Sequence, residues 1–158
     1  MPCSVARTLE VIGEWWTMLV IREAFNGVRR FDEFHSRLGI ARNVLAARLQ
    51  RLVEHGVLER RQYQDRPPRC EYRLTEKGRD LYPVLVAMLA WGDKWMAGPE
   101  GPPVSLIHTC GHVLGSHLVC SSCGQPVDPR QIRPQYNIAM TSPAVPSPTP
   151  SPAPQSPA

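Results

Sequence analysis

Histidine and cysteine side chains that could bind a metal are concentrated in one short stretch of the sequence. Three of the five cysteines, Cys110, Cys120 and Cys123, fall within fourteen residues, and His108 and His112 flank the first of them. Thiolate and imidazole are ligands that Zn²⁺ prefers, and Cys-x-x-Cys followed by glycine is typical of the loops that hold it. The spacing predicts one structural zinc ion, held by the three cysteines and by either His108 or His112. A segment without metal is the alternative.

The cysteine near the N-terminus, Cys3, could do a different kind of chemistry. It precedes an apolar pattern that predicts a helix from about Ser4. A thiol at a helix N-terminus ionises more readily because the helix dipole stabilises the thiolate, and Arg7 would add to this effect. Cys3 is therefore a candidate sensor of oxidants or electrophiles. The alternative is a cysteine that only packs.

A third group of side chains is suited to contacts with DNA. The segment 41–55 predicts a helix whose apolar stripe contains Leu45, Leu49, Leu52 and Val53. The opposite stripe and its flanks carry residues that can pair with base edges, hold phosphates or let the helix approach a groove floor, namely Arg42, Asn43, Ala47, Arg48, Gln50 and Arg51. A merely solvated basic face is the alternative, with Arg48 bound to a carboxylate such as Glu33.

Two further arginines, Arg66 and Arg69, lie beside prolines between two stretches with the alternating pattern of strands, Val57–Tyr63 and Cys70–Leu74. Residues 64–69 predict a polar loop at the hairpin tip that is too long for a two-residue turn. A stiff basic loop of this kind can enter a minor groove or hold phosphates. An ordinary surface loop is the alternative.

Five helices are predicted around this hairpin. A short helix opens the chain, a second runs from Trp15 to Phe25, and a third is capped by Asp32. After the helix at 41–55 and the hairpin, a long helix runs from Thr75 to about Met96, with a kink at the internal Pro83. Helix, turn, helix and hairpin in this order are typical of a winged helix-turn-helix, a mainly α fold with a small β wing.

Composition favours one nucleic-acid-binding domain with a small appendage. Between Arg29 and Arg79 there are 13 basic and 7 acidic residues, whereas the rest of the chain has 5 basic and 7 acidic ones. A positive centre of this kind favours a polyanion partner over a protein partner. We divide the chain into a domain at 1–97, a linker at 98–105, a Cys/His-rich segment at 106–136, and a proline- and serine-rich tail at 137–158 that we expect to be disordered.

Other classes of protein are disfavoured. We find no apolar stretch near the ~20 residues of a membrane span and no signal peptide, so we expect a cytoplasmic protein without a membrane partner. No catalytic serine, histidine and aspartate set, paired carboxylates or phosphate loop stands out, so we do not expect an enzyme. Cys120 and Cys123 could form a redox dithiol, but they lack the strand–helix context of a thioredoxin-like unit.

The order of several segments resembles the HxlR-type transcriptional regulators. The resembling segments are Cys3–Gly13, Trp16-Thr17, Ile21–Glu23, Arg30–Phe34, Gly39-Ile40, Asn43–Leu49, Gly56–Arg60, Pro67–Tyr72 and Leu74–Gly78. The resemblance spans about residues 3 to 97. Two positions depart from it, because Ala41 stands where a capping serine is usual and Trp15 replaces a polar or basic residue.

This resemblance implies a bacterial winged-helix homodimer, related in fold to MarR-type regulators. Such a protein binds a pseudo-palindromic DNA operator and is nucleoid-associated when bound. We expect it to act as a repressor, and an activator is the alternative. The resemblance also implies release from DNA by an electrophile, an oxidant or a small-molecule effector, and Cys3 matches a cysteine through which some members respond. Dimerisation through the terminal helices is implied as well. That fits the heptad-like seam of Leu81, Leu85, Met88, Trp91 and Trp95, which could instead pack on the N-terminal helix.

Overall fold

A computed structural model describes residues 3–135 and Asn137, and its elements follow the predicted order. They are α1 (Ser4–Ile12), α2 (Trp15–Phe25), α3 (Phe31–Leu38), α4 (Arg42–Glu54), β1 (Leu58–Asp65), β2 (Pro68–Leu74), α5 (Glu76–Arg79), α6 (Tyr82–Met96) and a 3₁₀ turn at Pro129–Gln131. The predicted fold class, mainly α with a small β-hairpin wing, is confirmed. The tail predicted to be disordered lies outside the described residues, except for Asn137.

The core lies between α2, α3, α4 and the base of the hairpin. Leu45, Leu49 and Leu52 of α4 are buried, as the apolar stripe predicted, and Val53 packs against them from a half-buried position. They meet Ile21 of α2, which is fully buried. Burial of a side chain of this size contributes roughly 1.5–3 kcal/mol. These contacts fix the rotation of α4 about its axis and therefore decide which of its side chains face solvent.

The start of α3 differs from the prediction in its capping residue. Arg30 is the N-cap, and the Glu33 carboxylate accepts hydrogen bonds from the backbone N–H groups of Arg29 (3.4 Å) and Arg30 (3.2 Å). Asp32 does not cap the helix, because α3 begins at Phe31 and places Asp32 within the first turn. A glutamate at the third helical position reaches back to the N-cap amide, which satisfies a donor that has no partner within the helix.

The hairpin is longer than predicted, and its turn is shorter. The pairs Gln64–Arg69 and Asp65–Pro68 continue the ladder, which leaves Arg66 and Pro67 as a two-residue turn. The predicted loop at 64–69 is therefore wrong. Two features account for this: the register shifts at a bulge between Gln62 and Gln64, and Pro68 is the first residue of β2, where a missing N–H is tolerated.

The segment after the hairpin forms two helices instead of one kinked helix. Thr75 caps α5 as predicted, since its Oγ1 accepts a hydrogen bond from the N–H of Gly78 at 3.1 Å. The chain then breaks at Asp80 and Leu81, and Pro83 falls in the first turn of α6. Proline loses no intrahelical hydrogen bond in a first turn, so the predicted kink at Pro83 is wrong.

Helix α6 contacts α2, where the rings of Phe25 and Tyr82 lie 4.9 Å apart. The segment that follows α6 contains two isolated bridges, Ile107–Val113 and Val119–Pro126, and most of its side chains are exposed. Within the described part of the chain, none of the helices combines the length and the apolar character that a membrane span requires.

Candidate nucleic-acid interface

The solvent-facing side of α4 carries small and amide side chains. Asn43, Ala46, Ala47 and Gln50 are exposed on it, and the Gln50 amide donates to the Glu54 carboxylate at 2.9 Å. Asparagine and glutamine amides can form paired hydrogen bonds with adenine in a major groove. The two alanines leave space for the helix to approach the bases. This face can therefore read base edges.

Arg42 stands at the start of α4 and is the charged member of this face. Its Nη2 lies 3.0 Å from Oδ1 of Asp32, and its guanidinium lies 4.9 Å from the centre of the Phe31 ring. The Arg42 side chain is still 62% exposed. The cation therefore lies at the surface beside a carboxylate that competes for it.

Arg48 and Arg51 face the N-terminal part of the chain instead of the exposed side of α4. Arg48 Nη2 lies 3.0 Å from Oε2 of Glu14, and Arg51 donates to the backbone carbonyl of Glu10. The Nε atoms of both arginines are buried. The alternative in which Arg48 binds a carboxylate is therefore observed, with Glu14 in place of Glu33. The structure does not bring these two arginines together with Asn43 and Gln50.

The wing presents both of its predicted arginines to solvent. Arg66 and Arg69 are exposed at the tip, and neither forms an ion pair within residues 3–135. The tip is braced from within: the Gln62 amide donates to the Gln64 carbonyl (3.2 Å), and the Gln64 amide donates to the Arg66 carbonyl (3.0 Å). A braced turn with unpaired guanidinium groups is suited to phosphate contacts.

The sequence patterns did not reveal a groove between α3 and the wing. It measures about 440 Å³, and Arg30, Tyr63 and Arg69 are among its lining residues. The Arg30 guanidinium lies 5.0 Å from the centre of the Tyr63 ring. The Arg29-Arg30 pair before α3 was the available signal. Its position beside the wing is set by the backbone, because the Tyr72 N–H donates to the Arg29 carbonyl at 2.8 Å and Arg30 forms a bridge with Glu71. Asp32 and Glu33 line the same groove, so its two arginines lie beside two carboxylates.

Cys3, the candidate sensor, is the N-cap residue of α1. It is half-buried, its side chain makes no capping hydrogen bond, and it is not in a disulfide. This is the helix-terminal position that the sequence predicted.

The predicted seam on α6 divides into two parts. Leu81 and Leu85 pack against the core of the same chain. Met88, Trp91 and Trp95 are 52%, 60% and 66% exposed. On α1, the side chains of Val5 and Leu9 are exposed as well. The two terminal helices thus leave large apolar side chains in solvent within the single chain.

The candidate metal ligands are placed in two pairs. His108 Nδ1 lies 3.1 Å from Cys110 Sγ, while the Cys120 thiol is hydrogen-bonded within its own loop. The backbone N–H of Cys123 and then that of Ser122 lower the pKa of Cys120. Within residues 3–135 and 137, no group of three or more histidine, cysteine or acidic side chains is placed to hold a metal ion. The structure thus places His108 beside Cys110 and Cys120 beside Cys123, in two separate pairs.

Three helices, a hairpin and an exposed amide-bearing fourth helix define a winged helix-turn-helix. The chain belongs to the HxlR-like helix-turn-helix family, whose family model matches residues 11–100. An uncharacterized HTH-type transcriptional regulator of Mycobacterium tuberculosis is 48% identical over 133 residues, which cover 84% of each chain. The resemblance predicted from sequence is confirmed, and the protein is a DNA-binding transcriptional regulator.

Solved structures show the same likeness. PA1607, a candidate transcription factor, superposes with a TM-score of 0.79 at 42% identity, covering 85% of this chain and 94% of its own. The redox regulator HypR in its oxidized form has a TM-score of 0.54 at 36% identity, covering 58% of this chain and 96% of its own. The likeness to PA1607 extends beyond the winged domain into the C-terminal segment. A match that covers 85% of this chain must include residues beyond position 100.

Proposed function

We propose that this regulator is a cytoplasmic repressor that binds a pseudo-palindromic operator as a homodimer, with α4 of each copy in the major groove. The observation that carries the proposal is the exposed row of Asn43, Ala46, Ala47 and Gln50 on a helix whose other side is locked into the core. A helix held in this way presents its amides in a fixed orientation, which base readout requires.

The charged groups around α4 support the same arrangement. Arg42 at the start of α4, Arg30 beside α3, and Arg66 and Arg69 on the wing supply cations on the flanks of the reading face. Phosphate contacts of this kind set the register of a protein on the duplex and contribute most of its sequence-independent affinity.

The operator is tested with DNA from the promoter upstream of the protein's own coding region and of its neighbouring gene. We expect footprinting to show protection of two half-sites about one helical turn apart. Gln50→Ala should weaken operator binding by roughly 5- to 150-fold for each half-site, since a side chain paired with a base contributes about 1–3 kcal/mol. It should leave non-specific binding unchanged. Gln125→Ala is the matched control, because it removes an exposed glutamine side chain from the C-terminal segment. Its affinity for the operator should equal that of the wild type.

Equal weakening on operator and non-specific DNA would contradict base readout by Gln50. Repression is tested separately with a reporter gene that carries the protected sequence. Expression should rise when the regulator is deleted. A fall on deletion would identify an activator instead.

A second element of the proposal is release from DNA by an oxidant or electrophile at Cys3. It is supported by the position of Cys3 at the start of α1 and by the similarity to the redox regulator HypR. Diamide should release wild-type protein from the operator but leave Cys3→Ser protein bound. Cys70→Ser, which removes another half-buried cysteine, serves as the matched control and should respond like wild type. If wild-type protein ignores diamide, quinones and aldehydes, Cys3 is not a sensor of these compounds.

A further inference from the structure

Two loops of the C-terminal segment share one backbone hydrogen-bonding pattern. In the first, the N–H of His108 donates to the His112 carbonyl (2.9 Å) and the N–H of Gly111 donates to the His108 carbonyl (2.9 Å). In the second, the N–H of Cys120 donates to the Gln125 carbonyl (2.9 Å) and the N–H of Gly124 donates to the Cys120 carbonyl (2.8 Å). The two loops differ by one residue in length.

The glycines hold the same place in both loops. Gly111 has φ 86° and Gly124 has φ 70°, a left-handed conformation that favours glycine. Each loop is closed by a bridge on its outer side, Ile107–Val113 in the first and Val119–Pro126 in the second. The segment therefore contains two copies of one turn.

This correspondence pairs the candidate ligands. His108 takes the place of Cys120 at the start of the turn, and Cys110 takes the place of Cys123 just before the glycine. His112 corresponds to Gln125, beyond the turn. The histidine that the sequence left undecided is therefore His108, whose Nδ1 already lies 3.1 Å from the Cys110 sulfur.

Residues 106–135, the part of the segment that the structure describes, contain no buried hydrophobic side chain that could stabilise these turns. Ile107, Val113, Leu118 and Val119 are 62%, 66%, 75% and 50% exposed. The cysteines are not in disulfides. Isolated hairpins are marginal in water, and small units of this size depend on disulfides, a metal or a partner surface.

We propose that Zn²⁺ binds His108, Cys110, Cys120 and Cys123 and draws the two loops into one tetrahedral site. Each thiol gives its proton to solvent and binds as a thiolate, while the imidazole binds through a ring nitrogen. The proposal requires the loops to approach each other, because the pairs do not form a single cluster as they stand. The loops are joined by a short linker, because residues 115–117 limit the separation of Leu114 and Leu118 to at most about 14 Å.

Closure of this site would also stiffen the surface beside α6. A cavity of about 140 Å³ lies between α6 and the segment and is lined in part by Leu89, Ala90, Leu106 and Leu114. Residues from both sides of the first loop therefore already face α6. Metal binding at the loops would hold these residues in place.

The test uses full-length protein purified without a polyhistidine tag. We expect about one zinc per chain by elemental analysis, and we expect Co²⁺ substitution to give the visible absorption of a tetrahedral thiolate site. His108→Gln and Cys123→Ser should each reduce zinc below roughly 0.2 per chain. His112→Gln and Cys70→Ser are the matched controls and should retain it.

Three outcomes would overturn the proposal. The wild-type protein could contain less than roughly 0.2 zinc per chain, or His112→Gln could lose zinc while His108→Gln retains it. The third outcome is a Cys120–Cys123 disulfide, found by mass spectrometry in place of metal. Operator binding by the zinc-depleted variants, measured in parallel, shows that the winged domain is folded. Zinc content is measured without DNA, so a failure of the zinc proposal does not contradict the proposed repressor. A failure of operator binding likewise does not contradict the zinc site.

Discussion

The Arg42 guanidinium and the Asp32 carboxylate meet at 3.0 Å and join the first turns of α4 and α3. The two side chains are 62% and 82% exposed, so solvent screens the pair and its effect on folding stability is small. We expect a larger effect on DNA binding, because under the proposed function a phosphate competes with Asp32 for Arg42. The pair is then expected to lower the affinity for DNA.

Replacing Asp32 with asparagine should tighten DNA binding. An exposed ion pair of this kind is worth roughly 0.2–1 kcal/mol, and a dimer contains two copies, so affinity should rise roughly two- to thirty-fold at low salt. Asp128→Asn is the matched control, since Asp128 pairs with Arg130 at 3.0 Å in the C-terminal segment. Fluorescence anisotropy with labelled operator measures both variants. A loss of affinity in Asp32→Asn would show that Asp32 positions Arg42 for DNA.

The wing arginines should contact DNA phosphates and not base edges. Arg66→Ala should weaken operator and non-specific DNA by similar factors, and should reduce the slope of log affinity against log salt by roughly 1 for each phosphate that is no longer neutralised. Arg69→Ala should behave in the same way. Titrations at several salt concentrations measure the slope. An unchanged slope with weaker operator binding would instead assign the wing to base readout.

Much of the fold was readable from the sequence because the patterns that specify it are local. The apolar stripe of Leu45, Leu49 and Leu52 predicted both α4 and its buried side. Gly39 ends α3, and Gly56 follows the C-cap of α4, which are positions where glycine is common. Gly39 has φ 61°, the left-handed conformation expected after a helix. Local conformational preference and burial agree at these positions.

The direction of Arg48 and Arg51 differs from the helical projection because of contacts between residues distant in the chain. It depends on the carboxylate of Glu14 and the carbonyl of Glu10, both at the end of α1 or just beyond it. The hairpin differs from the prediction for a local reason, which is the bulge at Tyr63. A helical projection gives the angle of a side chain about one axis but not the partners that neighbouring elements supply.

Glu23 should matter for stability, although it lies outside the candidate interface. It is 5% exposed in α2, and its carboxylate contacts Arg22 at 2.7 Å and Arg37 of α3 at 3.3 Å. Glu23→Gln should lower the free energy of unfolding by roughly 1–2 kcal/mol, because the neutral amide forms weaker hydrogen bonds with the two charged arginines. The cost stays moderate because both arginines remain partly in solvent.

Urea denaturation at fixed protein concentration measures this change. Glu14→Gln is the control, because Glu14 also pairs with an arginine but its side chain is 55% exposed. It should lose less than roughly 0.5 kcal/mol. Equal losses in the two variants would mean that burial does not set the strength of the Glu23 contacts.

The apolar surface of α6 should hold two copies together. Met88, Trp91 and Trp95 are more than half exposed, and burial of tryptophan at the centre of an interface often contributes about 2 kcal/mol or more. Trp95→Ala should therefore weaken dimerisation by roughly 30-fold or more. Analytical ultracentrifugation over a range of concentrations measures the dissociation constant.

Tyr63→Ala provides the control for this experiment, since Tyr63 is an exposed aromatic residue on the wing. It should leave the dimer intact. The monomeric Trp95→Ala protein should retain the fold of the winged domain, because Trp95 is 66% exposed within one chain, but it should lose the cooperative occupation of two half-sites. If Trp95→Ala remains dimeric and Val5→Ala or Leu9→Ala dissociates, then α1 and not α6 supplies the main contact.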